Sequence, residues 1–317
     1  MIRFVPVLLL TWLIAAHAMA GVFGDGDPNN GVEDDRRGIS QTGLGPDGDA
    51  WFRSGGTIHC DGAVRGSATL LSGVAVNADL EGQVMATAAH VLFDLEQGRP
   101  WRACAFHYLG LGELPGYRVP IDDAFILKGG FDPALDVSSV ESGKGDWAFI
   151  WLGANWHPPL GPAGLQPLAN GAVPSKDSGE FGLLAWNSSA GEMSVSLPCQ
   201  AVESQDSDLG GGAWAGQWLD DCDSMGGASG GGLIFSASGT HSLVAIRGGQ
   251  HWDYTRWPLA SHPDGPPRGE RWDPEGFTNY ARVIDVGMLN ELQQWILQLA
   301  KSGDAGGIGS HGQGTSP

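Results

Sequence analysis

The apolar runs of this chain are short, and that limits its fold more than any other feature. They recur at Thr57–Cys60, Ser67–Leu71, Gly73–Val76, Val84–Leu92, Trp101–Phe106, Tyr117–Leu127 and Asp146–Leu152. Turn residues close each one. Runs of this length suit strands and leave too little room for packed helices. The 51 glycines and 19 prolines among 317 residues supply the turns. The proline-rich stretch Trp156–Gly164 reads as a crossover, and a second set follows at Glu180–Trp186, Glu192–Val202, Gly216–Leu219, Gly231–Phe235, His241–Ile246 and Phe277–Ile284. Helical spacing occurs convincingly once, in Met288, Leu289, Leu292, Trp295, Ile296 and Leu299, ending near Lys301. The reading is all-β: two antiparallel β-barrels of about six strands each, followed by a C-terminal α-helix.

The flanks read differently. Arg3, the apolar run Val5–Ala16 and the small-x-small site Ala18-Met19-Ala20 predict a signal peptide over 1–20, with a mature start at Gly21. The apolar run is shorter than the ~20 residues that span a bilayer. A secreted or periplasmic, soluble protein is therefore expected, with no membrane partner. Residues 21–48 read as an acidic linker or N-terminal arm, 49–157 as the first barrel, 158–301 as the second barrel with the helix, and 302–317 as a disordered glycine-rich tail. Asp136–Gly145 reads as a polar turn and Gln250–Gly276 as a long Trp- and Pro-rich loop.

The formal charge is −19, from 17 basic and 36 acidic residues. Phosphate backbones and anionic lipid would be repelled, so nucleic acid is not an expected partner. A monomer is expected. The four cysteines, Cys60, Cys104, Cys199 and Cys222, suggest two disulfides in an exported chain. Three pairings are open, and Cys60–Cys104 with Cys199–Cys222 is the local set. No CxxC or HxxxH pair supports a metal site, and no cofactor is implied.

Chemistry concentrates in Asp220–Phe235, where Ser229 stands among Gly226, Gly227, Ala228, Gly230, Gly231 and Gly232. A serine hydroxyl needs a neighbouring base to act as a nucleophile. Glycines around it let amide groups converge on a developing oxyanion. His90 lies in an Ala-rich turn after an apolar start. Asp146 heads an apolar run, where a carboxylate is costly unless paired.

In order, the chain reads His90, Asp146, Ser229, and their surroundings resemble the chymotrypsin-like (trypsin-fold) serine peptidases. Ala86-Thr87-Ala88-Ala89-His90 resembles that family's histidine motif. Asp146-Trp147-Ala148-Phe149-Ile150 resembles its aspartate motif, and Gly227-Ala228-Ser229-Gly230-Gly231 its serine motif. Gly66–Leu70 resembles the strand before the histidine, and Phe277–Val283 with the helix resembles the closing elements. The resemblance spans about Asp34 to Lys301. It is closer to the bacterial branch containing glutamyl endopeptidases, through Asp34-Asp35-Arg36 and Cys222-Asp223-Ser224. It implies a secreted endopeptidase acting on protein or peptide substrates through an acyl-enzyme. His90 would be the base, Asp146 its orienting partner and Ser229 the nucleophile. The amides of Gly227 and Ser229 would form the oxyanion hole. Two departures stand out. Val91 follows the histidine where many animal members have cysteine, and Ala228 replaces the aspartate that commonly precedes the serine.

Two other readings compete. Gly-Ala-Ser-Gly-Gly also fits the GxSxG elbow of α/β-hydrolases, which would make an esterase. A catalytically inactive trypsin-fold binding protein would normally have lost part of the triad. For the cleaved residue, Asp223 lies at the spacing that selects Lys or Arg in trypsin-like relatives. Arg247 stands where the glutamyl branch often carries a substrate-binding histidine, within the expected pocket wall that includes Gly248. Arg247 could hold a substrate carboxylate, pair with Asp223, or face solvent. The preference expected is acidic or small residues over basic ones.

Overall fold

The computed structural model describes residues 21–24, 35–39, 50–72, 74, 84–108, 116–135, 140–153, 156, 164–169, 174–175, 177–203, 216–258, 260–262, 266–267 and 269–302. The signal-peptide, crossover and tail assignments fall wholly or mostly outside these residues, as does the run at 73–76 apart from Val74.

The first sheet is built from β1 (Gly55–Cys60), β2 (Ala63–Leu71), β3 (Val84–Thr87), β4 (Cys104–Tyr108), β5 (Tyr117–Pro120), β6 (Ile126–Lys128) and β7 (Ala148–Trp151). Its spatial order is β6-β7-β3-β2-β1-β4-β5, antiparallel throughout. The expected Tyr117–Leu127 run is two strands, because a 3-10 turn at Asp123–Phe125, capped by the Asp122 carboxylate, breaks it. A short helix, α1 (Val140–Gly145), precedes β7 where a polar turn was expected.

The second sheet contains β8 (Glu180–Asn187), β9 (Glu192–Cys199), β10 (Ala201–Glu203), β11 (Gln217–Asp220), β12 (Gly232–Ala237), β13 (Thr240–Trp252) and β14 (Phe277–Val283). They run in the order β10-β11-β14-β13-β12-β8-β9. Arg37–Gly38 adds beside β9, and Gln166–Pro167 pairs parallel to β13. The architecture is thus mostly β, with two curled antiparallel sheets and a terminal helix, as expected from the run lengths. The first sheet holds seven strands because the Tyr117–Leu127 run is divided, and the second holds nine because the two-residue segments Arg37–Gly38 and Gln166–Pro167 add to its seven longer strands.

The strand β13 runs six residues past its expected end at Ile246. Within it, Gly248-Gly249 form a β-bulge, with a register shift against β14 between Arg247 and Gly249. The arm is also built in. Phe23–Gly24 pairs parallel with Glu270–Arg271, and the Phe23 ring lies against Phe277 in a tilted contact, centroids 4.6 Å apart, in a small cluster with Trp252 and Trp257.

One apolar core joins the first sheet, the inner faces of β8, β9, β12 and β13, and the helix α2 (Val286–Ser302). From α2 it takes Met288, Leu292 and Ile296, one turn apart. The Asp285 carboxylate accepts the Met288 amide and caps that helix. A second cluster lies between β8, β11, β12, β13 and β14. Among the described residues no helix is long and apolar enough to cross a membrane. Both local disulfides are present, Cys60–Cys104 across the β1–β4 pair and Cys199–Cys222 linking β9 to the segment before Ser229.

Candidate active site

The site lies where the two sheets face each other, and each contributes by a different local device. On the first sheet, β3 ends at Thr87 and the chain tightens into a 3-10 turn, Ala89–Leu92, which carries His90. On the neighbouring strand, Asp146 stands two residues before β7 begins and is almost fully buried. Both of its oxygens are used on His90. Oδ1 accepts the His90 backbone amide at 2.8 Å, and Oδ2 lies 2.7 Å from the ring Nδ1. This answers the cost of burying a carboxylate at the head of an apolar run. It also fixes the ring. With Nδ1 held by a carboxylate, Nε2 is the atom turned outward, and it is buried with no hydrogen-bond partner among the described residues.

Ser229 comes from the second sheet, in the loop between Cys222 and β12. The loop is pinned at every turn. Ala228 N donates to Met225 O, Gly230 N to Arg247 O, and Gly231 N to Ala228 O. Across the inter-sheet gap, the Ser67 amide of β2 donates to Ser229 O at 2.7 Å. Ser229 and His90 line the same cleft. The Ser229 hydroxyl donates to Gly248 O at 3.3 Å and so is not bonded to His90 in this state.

Gly227 has φ +93°, and a Cβ there would lie 2.7 Å from Trp186 Cδ1, so both backbone and space require glycine. Gly248 needs glycine for another reason: a Cβ would enter the Tyr280 ring beneath it. Among the described residues, neither the Gly227 nor the Ser229 amide donates to a protein acceptor. Two adjacent unclaimed N–H groups beside a serine suit a developing negative charge.

Sequence reasoning missed Ser67. Its hydroxyl donates to Gly227 O at 2.7 Å and accepts from Trp186 N at 2.8 Å, and its carbonyl accepts from Thr87 Oγ1. One side chain of the first sheet therefore ties the Gly227 backbone to β8. The buried Ala228 has no carboxylate to do this from within the loop.

The expected specificity residues are placed as follows. The Arg247 side chain is 0% exposed, so it does not face solvent, and it pairs with Asp220 rather than Asp223. The pair is bidentate, with Nη1 donating to Oδ2 at 2.9 Å and Nη2 to Oδ1 at 2.5 Å. Burial pushes the Asp220 carboxyl up, and the guanidinium opposes that shift. Asp223 is buried too, and its carboxylate accepts Phe23 N at 2.7 Å and Asp35 N at 2.8 Å. Its neighbour Ser224 donates its amide to Gly21 O, and the Gly21 amide donates to Asn279 Oδ1. The N-terminal arm thus lies against the segment that leads into Ser229. Among the described residues no group of three or more His, Cys, Asp or Glu could hold a metal ion.

The chain matches no protein-family model, and no curated protein matches it. Among solved structures it is similar to AL20, a thermostable serine protease from an extremophilic microorganism, at 14% identity and a TM-score of 0.47. The match covers 77% of this chain and 97% of that one.

Proposed function

We propose that this protein is an exported serine endopeptidase of the trypsin-like fold, working through His90, Asp146 and Ser229. The observation that carries the reading is the use of both Asp146 oxygens on His90, which leaves a buried, unpartnered Nε2 in the cleft that Ser229 shares.

The chemistry follows from that arrangement. The Ser229 hydroxyl turns from Gly248 O toward Nε2 and gives up its proton as Oγ attacks the scissile carbonyl. Asp146 stabilises the imidazolium that forms. The carbonyl oxygen gains negative charge against the Gly227 and Ser229 amides, each worth about 3 kcal/mol in such sites. His90 returns the proton to the leaving amine, and water then hydrolyses the acyl-enzyme. The two disulfides fit an oxidising compartment, which supports export. The α/β-hydrolase alternative requires a helix after the serine, whereas Ser229 is followed by the strand β12.

On the cleaved residue, both charges named from the sequence are committed, Arg247 to Asp220 and Asp223 to the arm amides. This takes Asp223 away as a determinant for Lys or Arg and Arg247 as a holder of a substrate carboxylate, so within the small-or-acidic preference it supports the small residues. The Cys222-Asp223-Ser224 pattern keeps the glutamyl-endopeptidase branch as the finer assignment we favour.

The test is covalent labelling with a fluorophosphonate probe, followed by digestion of a denatured protein. Wild type should label and cleave, while Ser229→Ala and His90→Ala should do neither. Labelling that persists in Ser229→Ala would remove that residue from its role. Ester hydrolysis without peptide cleavage would favour an esterase, and an unreactive wild type would favour a binding protein.

A further inference from the structure

The cleft that holds His90 and Ser229 extends well beyond them. It has a volume of about 590 Å³ and runs past Val91 and Phe93 to Leu95–Gln97, with Val64, Arg65 and Trp101 also in its lining. Residues of β13, including Gly248, which receives the Ser229 hydroxyl, are not among those lining it. In the proposed reaction the leaving amine must lie within reach of His90 Nε2 to receive its proton. A cleft that opens on the histidine side and away from β13 is therefore where the residues after the scissile bond would lie.

Arg65 is the cation of this cleft, and its side chain is fixed from two directions. The guanidinium carbon lies 3.8 Å from the centre of the Trp101 ring, and Nε donates to Cys60 O at 3.3 Å. Trp101 is in turn held by its amide on Leu92 O, in the same turn that carries His90. Among the described residues neither terminal nitrogen of Arg65 has an acceptor. The acids of the same cleft are accounted for. Asp94 accepts the Gln97 amide at 3.2 Å and lies 3.8 Å from Arg99, and Glu96 is exposed. Arg65 is also near the reacting centre along the backbone. A Cβ on its neighbour Gly66 would lie 2.6 Å from Ser229 O.

A guanidinium held by stacking and by its inner nitrogen presents its two outer nitrogens as a pre-oriented fork, the geometry that accepts a carboxylate bidentately. We propose that Arg65 is a specificity-determining residue that binds a carboxylate on the leaving-group side of the substrate, within the first two residues after the scissile bond. That carboxylate could be an Asp or Glu side chain or the substrate's own C-terminus. The proposal rests on the peptidase reading above, and the test separates the two.

Quenched fluorescent peptides would share one acyl half and differ in the two residues after the cleaved bond. One set would carry Glu, Gln or Lys at each position with an amidated C-terminus. The other would carry neutral residues with a free C-terminal carboxylate. A third substrate would have an aminocoumarin leaving group and nothing beyond it. Wild type should favour Glu over Gln by about tenfold in kcat/KM at one position, as expected for a charge-assisted pair. Arg65→Gln should lose that preference, Arg65→Glu should shift it toward Lys, and Arg65→Lys should keep part of it. All three variants should cleave the aminocoumarin substrate at the wild-type rate and melt within a few degrees of wild type. If the preference appears only with the free C-terminus, the carboxylate recognised is the terminal one. If wild type cleaves all peptides alike, or Arg65→Gln keeps the wild-type preference, the proposal fails while the peptidase reading stands. If wild type cleaves nothing, both fall together.

Discussion

At the scale of single residues, the site depends on contacts of very different reach. His90 and Asp146 can be read locally, because each sits in a motif and an aspartate before a buried strand demands a partner. Ser67 cannot be read this way. Its two hydroxyl partners are 160 and 119 residues away, and the resemblance of Gly66–Leu70 marks the strand without giving this serine a role. Its loss should nevertheless register in catalysis. Ser67→Ala frees the Gly227 carbonyl and strands the Trp186 amide, so the backbone that presents the Gly227 N–H loses its tether. We expect kcat to fall about tenfold with KM within about twofold, below the 10²–10³ cost of deleting an oxyanion donor outright. Stability should fall by about 1 kcal/mol. Steady-state kinetics on one peptide, with Ser67→Thr as the hydroxyl-retaining control, would check this. A matched rise in KM with unchanged kcat would assign Ser67 to ground-state binding instead.

At the scale of elements, the β1–β4–β5 edge has its own acid response. His59 and His107 stack face to face at 3.7 Å and 7°, and Arg118 stands opposite His107 in the β4–β5 register. Burial first, then the neighbouring His59 and Arg118 charges, push the His107 pKa down to about 4. The folded state therefore binds fewer protons than the unfolded chain below the usual histidine value of 6.5. Stability from this pair is present above about pH 6.5 and is lost as pH falls toward about 4. Asp221 acts in the opposite sense. Burial raises its pKa to about 6, against the Gln200 amide bond, so its contribution falls as pH rises from 3.8 to about 6. A variant isolates the histidine part. His107→Phe keeps the stack, and its loss of Tm between pH 7 and 5 should be smaller than that of wild type by about 2 °C, allowing for solvent screening. Equal losses would show that the pair does not titrate in this way. Elements were the most legible level of the sequence. Strand runs and the helical stripe translate into most of β1 to β14 and α2, because side-chain period records which face is buried, although the Tyr117–Leu127 and Glu192–Val202 runs each form two strands. The exceptions share a cause. The Gly248-Gly249 bulge, the two-residue pairs at Phe23–Gly24 and Arg37–Gly38, and the Gly-containing α1 have too little periodicity to leave a pattern.

At the scale of the whole molecule, the arm and the second sheet are one structure. The Asp223 carboxylate accepts amides from Phe23 and Asp35, some 200 and 188 residues away, and sequence spacing alone cannot foresee such a use. Asp223→Ala should release the arm. We expect a loss on the order of 3 kcal/mol for two hydrogen bonds to a buried charge, and faster hydrogen exchange at the Phe23 and Asp35 amides. The preference for the cleaved residue should not change. A switch in that preference, with the two amides still protected, would make Asp223 a pocket residue after all. The pairing of Phe23–Gly24 with Glu270–Arg271 carries a further consequence, in time rather than in space. It joins the first described segment to one near the C-terminal strand, across about three quarters of the chain. Such contacts reward the chain only after its largest loop has closed. During synthesis the arm must wait for β14 and its neighbours, so the loop carrying Ser229 acquires its last support only when the C-terminal strands have emerged.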